Sequence, residues 1–165
     1  MPANQDHAHD VIAIGRSSVD LYGQQIGSRL EDIATFSKSV GGCPANIAVG
    51  TARLGLKSGL ITGVGAEQMG RFIIEQCARE GVATQGIKID KERLTALVLL
   101  GLKDRDTFPL LFVRENCADM AVDADQISEA FIAQCRALAS TGTHLSTPTT
   151  RRASQTALAY AKKHG

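Results

Sequence analysis

Two glycine clusters are the first places in this chain where chemistry could happen. Gly41-Gly42-Cys43-Pro44-Ala45-Asn46 runs into a helical pattern, and Gly63-Val64-Gly65 follows a short apolar run and precedes another helix. Glycine lets a ligand approach the backbone, and a helix start beside it offers unpaired N–H donors. In open parallel sheets, the turn from strand to helix is where ligands bind. The second cluster invites a dinucleotide reading, with Asp90 past the next strand as the ribose acid. GxGxxG needs a third glycine at position 68, however, and Gln68 stands there. Without it, the glycines read as a tight turn. His144 lies near Ser146, but no GxSxG elbow surrounds any serine. His144 therefore reads as a strand-end residue with a structural hydrogen bond. Cys43, Cys77, Cys117 and Cys135 form no CxxC pair and no finger spacing with histidine, so they read as free thiols in a reducing cytoplasm. His7 and His9 sit in a polar tail and read as solvated rather than as metal ligands.

The elements that must position these residues follow from composition and periodicity. Hydrophobic residues make up 44% of the 165 residues and charged residues 21%, a globular balance that rules out wholesale disorder. Aromatics are 4%, tryptophan is absent and the net charge is +1, so neither a stacking nucleic-acid surface nor a basic footprint for DNA or membrane is expected. The start, MPANQDHAHD, lacks the apolar core of a signal peptide. No apolar run reaches the ~18 residues of a membrane span. Residues 1–9 read as a disordered tail and 10–165 as one domain.

Val11 to Gly15 reads as a buried strand, with shorter strands over Val19–Tyr22 and Ala34–Ser39. Pro44 suits the first turn of a helix that Gly55 ends. Ser58–Thr62 reads as a strand closed by Gly63-Val64-Gly65, followed by a helix carrying Phe72, Ile73, Gln76 and Cys77, then a brief strand over Gly86–Ile89. Leu94–Leu102 and Phe108–Val113 flank the polar turn at 103–106 as a β-hairpin. Its apolar run Leu97–Leu100 predicts cover on both faces. Asp123 can cap a helix through Gln134, with a strand over Leu138–Leu145 and a last helix from Arg151 to His164. This alternation predicts an α/β parallel sheet with flanking helices and a small separate β layer.

The first glycine cluster, with Ile47, Ala48, Gly55 and Gly65 beyond it, resembles the signature of the PfkB (ribokinase-like) carbohydrate kinases. The likeness extends to Gly15-Arg16-Ser17-Ser18-Val19-Asp20, to Gly63 through Gly70, and to Arg114 through Asp119. It implies a ribokinase-like fold in which residues 17–40 and 94–114 form a β lid, with homodimer pairing through that lid. It implies a sugar held by Asp20, Gly41, Gly42 and Asn46. That chemistry is sound, because a carboxylate accepts from two hydroxyls and an amide both donates and accepts. Taken alone, Asp20 equally suits a turn. Family members that act on sugar acids use an arginine in the segment of Arg114, whose planar fork matches a carboxylate. The other reading of Arg114 is a surface residue paired with Glu115 or Asp119. The segments Ser18–Gly23 and Phe112–Asp119 look most like the members that phosphorylate 5-dehydro-2-deoxygluconate in inositol breakdown.

The resemblance implies ATP and Mg2+ as cofactors of the complete enzyme. The family's base, anion hole and metal-linked motif lie in a GAGD-type segment and an NxxE motif, and neither occurs in this sequence. The expectation is thus a truncated kinase domain: the N-terminal, sugar-binding half, with no catalytic residue of its own and an open strand edge where the rest would dock. The alternatives are a non-catalytic sugar-binding module and a nicotinamide-binding protein, against which Gln68 counts.

Overall fold

The computed structural model describes residues 7–165. Its strands in chain order are β1 (His9–Ile14), β2 (Ser18–Gly23), β3 (Phe36–Gly41), β4 (Ser58–Gly65), β5 (Ile87–Asp90), β6 (Leu97–Leu100), β7 (Leu110–Val113) and β8 (Cys135–Ser140). Its α-helices are α1 (Cys43–Arg53), α2 (Gln68–Arg79), α3 (Glu129–Ile132) and α4 (Pro148–His164). The strands form two four-stranded sheets. The core sheet has the order β5-β4-β1-β8 and is parallel throughout. The second has the order β3-β2-β6-β7, with β2 and β6 parallel and both outer pairs antiparallel. The expected parallel sheet with flanking helices and a separate β layer is what folds.

The core sheet is parallel because its faces are covered on both sides. Every residue of β4 is buried. In β1, Ala13 faces a cluster with Leu60, Val64, Ala45, Ala48 and Ile73, supplied by β4, α1 and α2. Its neighbours Ile12 and Ile14 face the opposite cluster, with Ile61, Val122, Ile132, Ala153 and Ala157. Period-two alternation along one strand thus feeds two cores. Helix α1 opens at Gly42 with φ +94° and has Pro44 in its first turn. Helix α4 is capped by the Thr147 hydroxyl, which accepts from the Thr150 N–H at 3.3 Å. Lys162, Lys163 and His164 end it, complementing its dipole.

The second sheet, hereafter the lid, has its register fixed by hydrophobic alternation. Val19, Leu21, Val40 and Leu97 pack onto the α1/α2 core. Paired residues share a face, so Ser18, Asp20, Tyr22, Ser39, Gly41 and Val98 stand on the other side. No described helix is long and apolar enough to cross a membrane.

Several boundaries differ from the sequence reading. Gly63 and Gly65 do not close a turn; both lie inside β4. They are small because the Ala118 and Arg93 carbonyls pack beside them. Asp123 caps only the 3-10 turn Ala124–Gln126, and α3 starts separately at Ser128. The break comes at Ile127, which is extended and buried in the core. Strand β8 starts at Cys135 and ends at Ser140, followed by the 3-10 turn Gly142–Leu145. The apolar hairpin is not covered on both faces: Leu110, Leu111, Phe112 and Val113 of β7 are 48–55% exposed. Residues 1–6 of the expected tail lie outside the described residues, and His9 already belongs to β1, edge-on to the Phe131 ring at 5.1 Å.

Candidate functional site

The carboxyl ends of β1, β4, β5 and β8 share one rim of the core sheet, the position at which parallel sheets bind ligands. Beyond β1, the loop Gly15-Arg16-Ser17 climbs from that rim into the lid. It is anchored by the buried Ser17 hydroxyl against Thr62 at 3.0 Å. The loop delivers Asp20 to the middle of β2. There the Ser18 hydroxyl donates to Asp20 Oδ1 at 2.8 Å. Partial burial pushes the Asp20 carboxyl upward, and the Ser18 bond opposes that.

Asp20, Gly41 and Gly42 come together. Ser18 pairs with Gly41 across β2 and β3, which sets Gly41 against the Asp20 carboxylate, where any side chain at 41 would overlap it. At Gly42, a side chain would meet the Arg16 carbonyl, and the positive φ independently favours glycine. Asn46 stands one helical turn on, with its N–H donating to the Gly42 carbonyl at 2.9 Å. Its side chain is exposed along a groove shared with Lys38, Ser39 and Phe72.

Arg114 directly follows β7 and continues the alternation that puts Leu110 and Phe112 on the face of Asp20. It lines an open cleft of about 680 Å3 with Arg93, Glu115, Asn116, Thr147 and Thr149. Of its two expected surface partners, it takes Asp119, and that residue is not on the surface. Asp119 is fully buried, and its Oδ2 accepts from Arg16 Nε at 2.7 Å and from an Arg114 terminal N–H at 3.1 Å. His144 packs into the same cluster, fully buried, with Nδ1 2.8 Å from the Ser154 hydroxyl. Burial pushes the Asp119 carboxyl up to about 6 against the pull of Arg16. Burial, with Arg16 nearby, pushes His144 down to about 4. At neutral pH the cluster holds two guanidiniums, one carboxylate and a neutral imidazole.

Sequence reasoning singled out neither Arg16 nor Asp119 as functional residues. Their signal was present in the segments 15–20 and 114–119, but it needed the burial of Asp119 to become visible. His144 does make the structural hydrogen bond expected of it, one turn beyond its strand.

The dinucleotide reading fails on geometry. Glu67 caps α2, with its carboxylate accepting from the Met69 N–H at 2.5 Å and the Thr95 N–H at 3.0 Å. A carboxylate thus occupies the helix start that a pyrophosphate would need. Among the described residues, no three His, Cys, Asp or Glu side chains converge to hold a metal ion. All four cysteines are free, and Cys43 alone of them is exposed.

The sequence pattern of the pfkB family carbohydrate kinases matches residues 8–165. The chain is 39% identical over 166 residues to the 5-dehydro-2-deoxygluconokinase of Geobacillus thermodenitrificans, covering 100% of this chain and 49% of that protein. Among solved structures, it resembles a PfkB protein from Polaromonas sp. JS666 with a TM-score of 0.88 and 29% identity, over 95% of this chain and 53% of that one. It also resembles a sugar kinase of Pyrococcus horikoshii in complex with ATP, with a TM-score of 0.80 and 30% identity, over 93% and 49% of the two chains. The chain spans about half the length of the curated relatives it matches.

The buried pair sets a test of pH dependence. With its folded pKa raised, Asp119 binds more protons folded than unfolded between about pH 4 and 6, so its contribution to stability falls as pH rises there. His144, with its folded pKa lowered, contributes in the opposite sense between about pH 4 and 6.5. Asp119→Asn removes the first contribution only. Whatever its fixed cost, its unfolding free energy minus that of the unaltered chain should climb by roughly 2 kcal/mol from pH 4 to 6.5. Urea titrations at each pH measure this, and a difference that stays flat contradicts the assignment.

Proposed function

Because the chain belongs to the pfkB family of carbohydrate kinases, we propose that it forms the sugar-binding half of a kinase that phosphorylates 5-dehydro-2-deoxygluconate. The observation that carries this reading is the placement of Asp20 and Arg114 on one face of the lid, on β2 and just past β7. Two strand spacings, with Arg114 two residues further along than the position level with Asp20, put their backbones about 12 Å apart. Side chains reaching in from both ends suit a short chain with hydroxyls at one end and a carboxylate at the other. The curated relatives named for this activity support the substrate.

In this reading, Asp20 accepts hydrogen bonds from the sugar hydroxyls. Gly41 and Gly42 admit the sugar against the backbone, and Asn46 donates and accepts at its edge. Arg114 meets the carboxylate with its fork. The lid shields the site from water, which would otherwise take the phosphoryl group. ATP with Mg2+ supplies that group in the complete enzyme; the ATP complex of the Pyrococcus horikoshii relative supports the nucleotide. The described residues do not themselves fit a nucleotide–metal site, since Glu67 fills the start of α2 and no acidic set converges. The base and anion hole belong to segments outside this sequence. The free thiols suit a reducing cytoplasm. The exposed apolar β7, with one unpaired edge, fits pairing with the same strand of a second copy.

Three outcomes follow. Calorimetric titration of the 165-residue chain with 5-dehydro-2-deoxygluconate should show binding that Asp20→Ala weakens about tenfold or more, as loss of hydrogen bonds to a charged group does. Equal affinity in the variant would count against the assignment of Asp20. With ATP, Mg2+ and the sugar acid, the purified chain should release ADP only at background in a coupled assay. Robust turnover would show that these residues hold the catalytic machinery. In sedimentation, the chain should dimerise and Phe112→Asp should make it monomeric, whereas a monomeric unaltered chain rejects lid pairing.

A further inference from the structure

Among the described residues, the buried side-chain atoms left without a hydrogen-bond partner are Arg114 Nε, Asp119 Oδ1 and His144 Nε2. All three belong to the cluster around Asp119. Elsewhere interior polar groups are matched, as Ser17 is with Thr62 and Thr95 with Gly65. Unpartnered buried polar atoms are costly, and their concentration in one place asks for an explanation.

The charge balance sharpens the question. A buried carboxylate needs one cation, and Arg16 at 2.7 Å already supplies it. Arg114 is therefore a second guanidinium on the same oxygen, and it leaves the cluster with one positive charge in excess. His144 does not offset this, because it faces Arg16 and the Asp119 backbone as a neutral ring. Arg114 is also the member that lines the open cleft. Asp119 takes one N–H of its fork and leaves Nε unused. Arg16, on the other side, has its carbonyl packed against Gly42 at the sugar end.

We propose that Asp119 is a positioning residue for carboxylate recognition: it pins the Arg114 guanidinium at the cleft, so that the terminal N–H groups left free of Asp119, rather than the buried Nε, meet a ligand carboxylate in a fixed geometry. This rests on the reading of Arg114 as the carboxylate-binding group. It adds that recognition of the acid depends on a residue that never touches the ligand. Arg16 completes the clamp by holding Asp119 in place and joins the acid end of the site to Gly42 at the sugar end.

Positioning and simple electrostatics predict opposite signs. Removing the negative charge of Asp119 beside Arg114 should strengthen anion binding if charge alone mattered, and weaken it if orientation matters. The test is an NMR titration of the 165-residue chain with D-gluconate and with D-glucitol, its neutral counterpart. The unaltered chain should prefer gluconate, and Arg114→Ala should abolish that preference. Asp119→Asn should cut the preference at least about fivefold, the scale of a lost charge-assisted hydrogen bond, with glucitol binding changed less than about twofold. No gluconate preference in the unaltered chain overturns the reading of Arg114 and this inference with it. Loss of preference in Arg114→Ala but not in Asp119→Asn overturns this inference alone. So does an equal weakening of both ligands in Asp119→Asn, or a strengthened gluconate affinity. If Asp119→Asn fails to fold, 15N relaxation at Arg114 Nε in the unaltered chain decides. An order parameter near the ~0.85 of rigid backbone supports a pinned guanidinium, and one below about 0.6 overturns it.

Discussion

A single buried carboxylate joins the two sheets at the place where they must act together. Arg16 comes from the loop that leaves the core sheet, and Arg114 from the end of the lid strand farthest from β3. Both reach the same oxygen of Asp119. Burying three charged groups is costly, and breaking such a cluster by removing one partner costs several kcal/mol, by rough precedent about 3–5. The lid's far end is therefore tied to the core by an interaction with sharp directional demands. Hydrophobic packing of Val19, Leu21, Val40 and Leu97 holds the near end and sets no direction for a polar group. The division is physical: apolar burial supplies adhesion, and the Asp119 cluster supplies orientation.

The rest of the candidate site follows from alternation along strands. Because β2 buries Val19 and Leu21, it must present Ser18 and Asp20 on its other face. Because β3 pairs Gly41 with Ser18, the glycine falls beside the Asp20 carboxylate, and the next residue turns into α1 at positive φ. The site thus lies on the lid face opposite the one committed to the core, with Ser18 and Asp20 as polar groups beside Val98 and Phe112.

Much of this was legible in the sequence, and the gaps have physical causes. Short apolar runs punctuated by Gly and Pro located β1, β4, α1 and α2, since a strand buried on both faces leaves few other readings. Gly63 and Gly65 misled, because a glycine that clears space for a neighbouring carbonyl looks like one that bends a turn. The segment 123–134 carried two capping residues, Asp123 and Ser128, and only the burial of Ile127 shows that both are used. Asp20, Gly41 and Gly42 were readable because they are close in sequence or held by local register. The Asp119 cluster was not, because Arg16 and Asp119 meet only when the lid closes a long loop in the chain. Charge spacing reports possible partners, and burial decides among them.

The central claim is that Asp20 and Arg114 bind the two ends of one sugar acid. A crystal structure of the 165-residue chain with 5-dehydro-2-deoxygluconate tests it most directly. The account predicts the carboxylate within hydrogen-bond distance, about 3 Å, of the Arg114 guanidinium, with ligand hydroxyls on Asp20. A sugar acid bound elsewhere, or bound with its carboxylate turned away from Arg114, would contradict it.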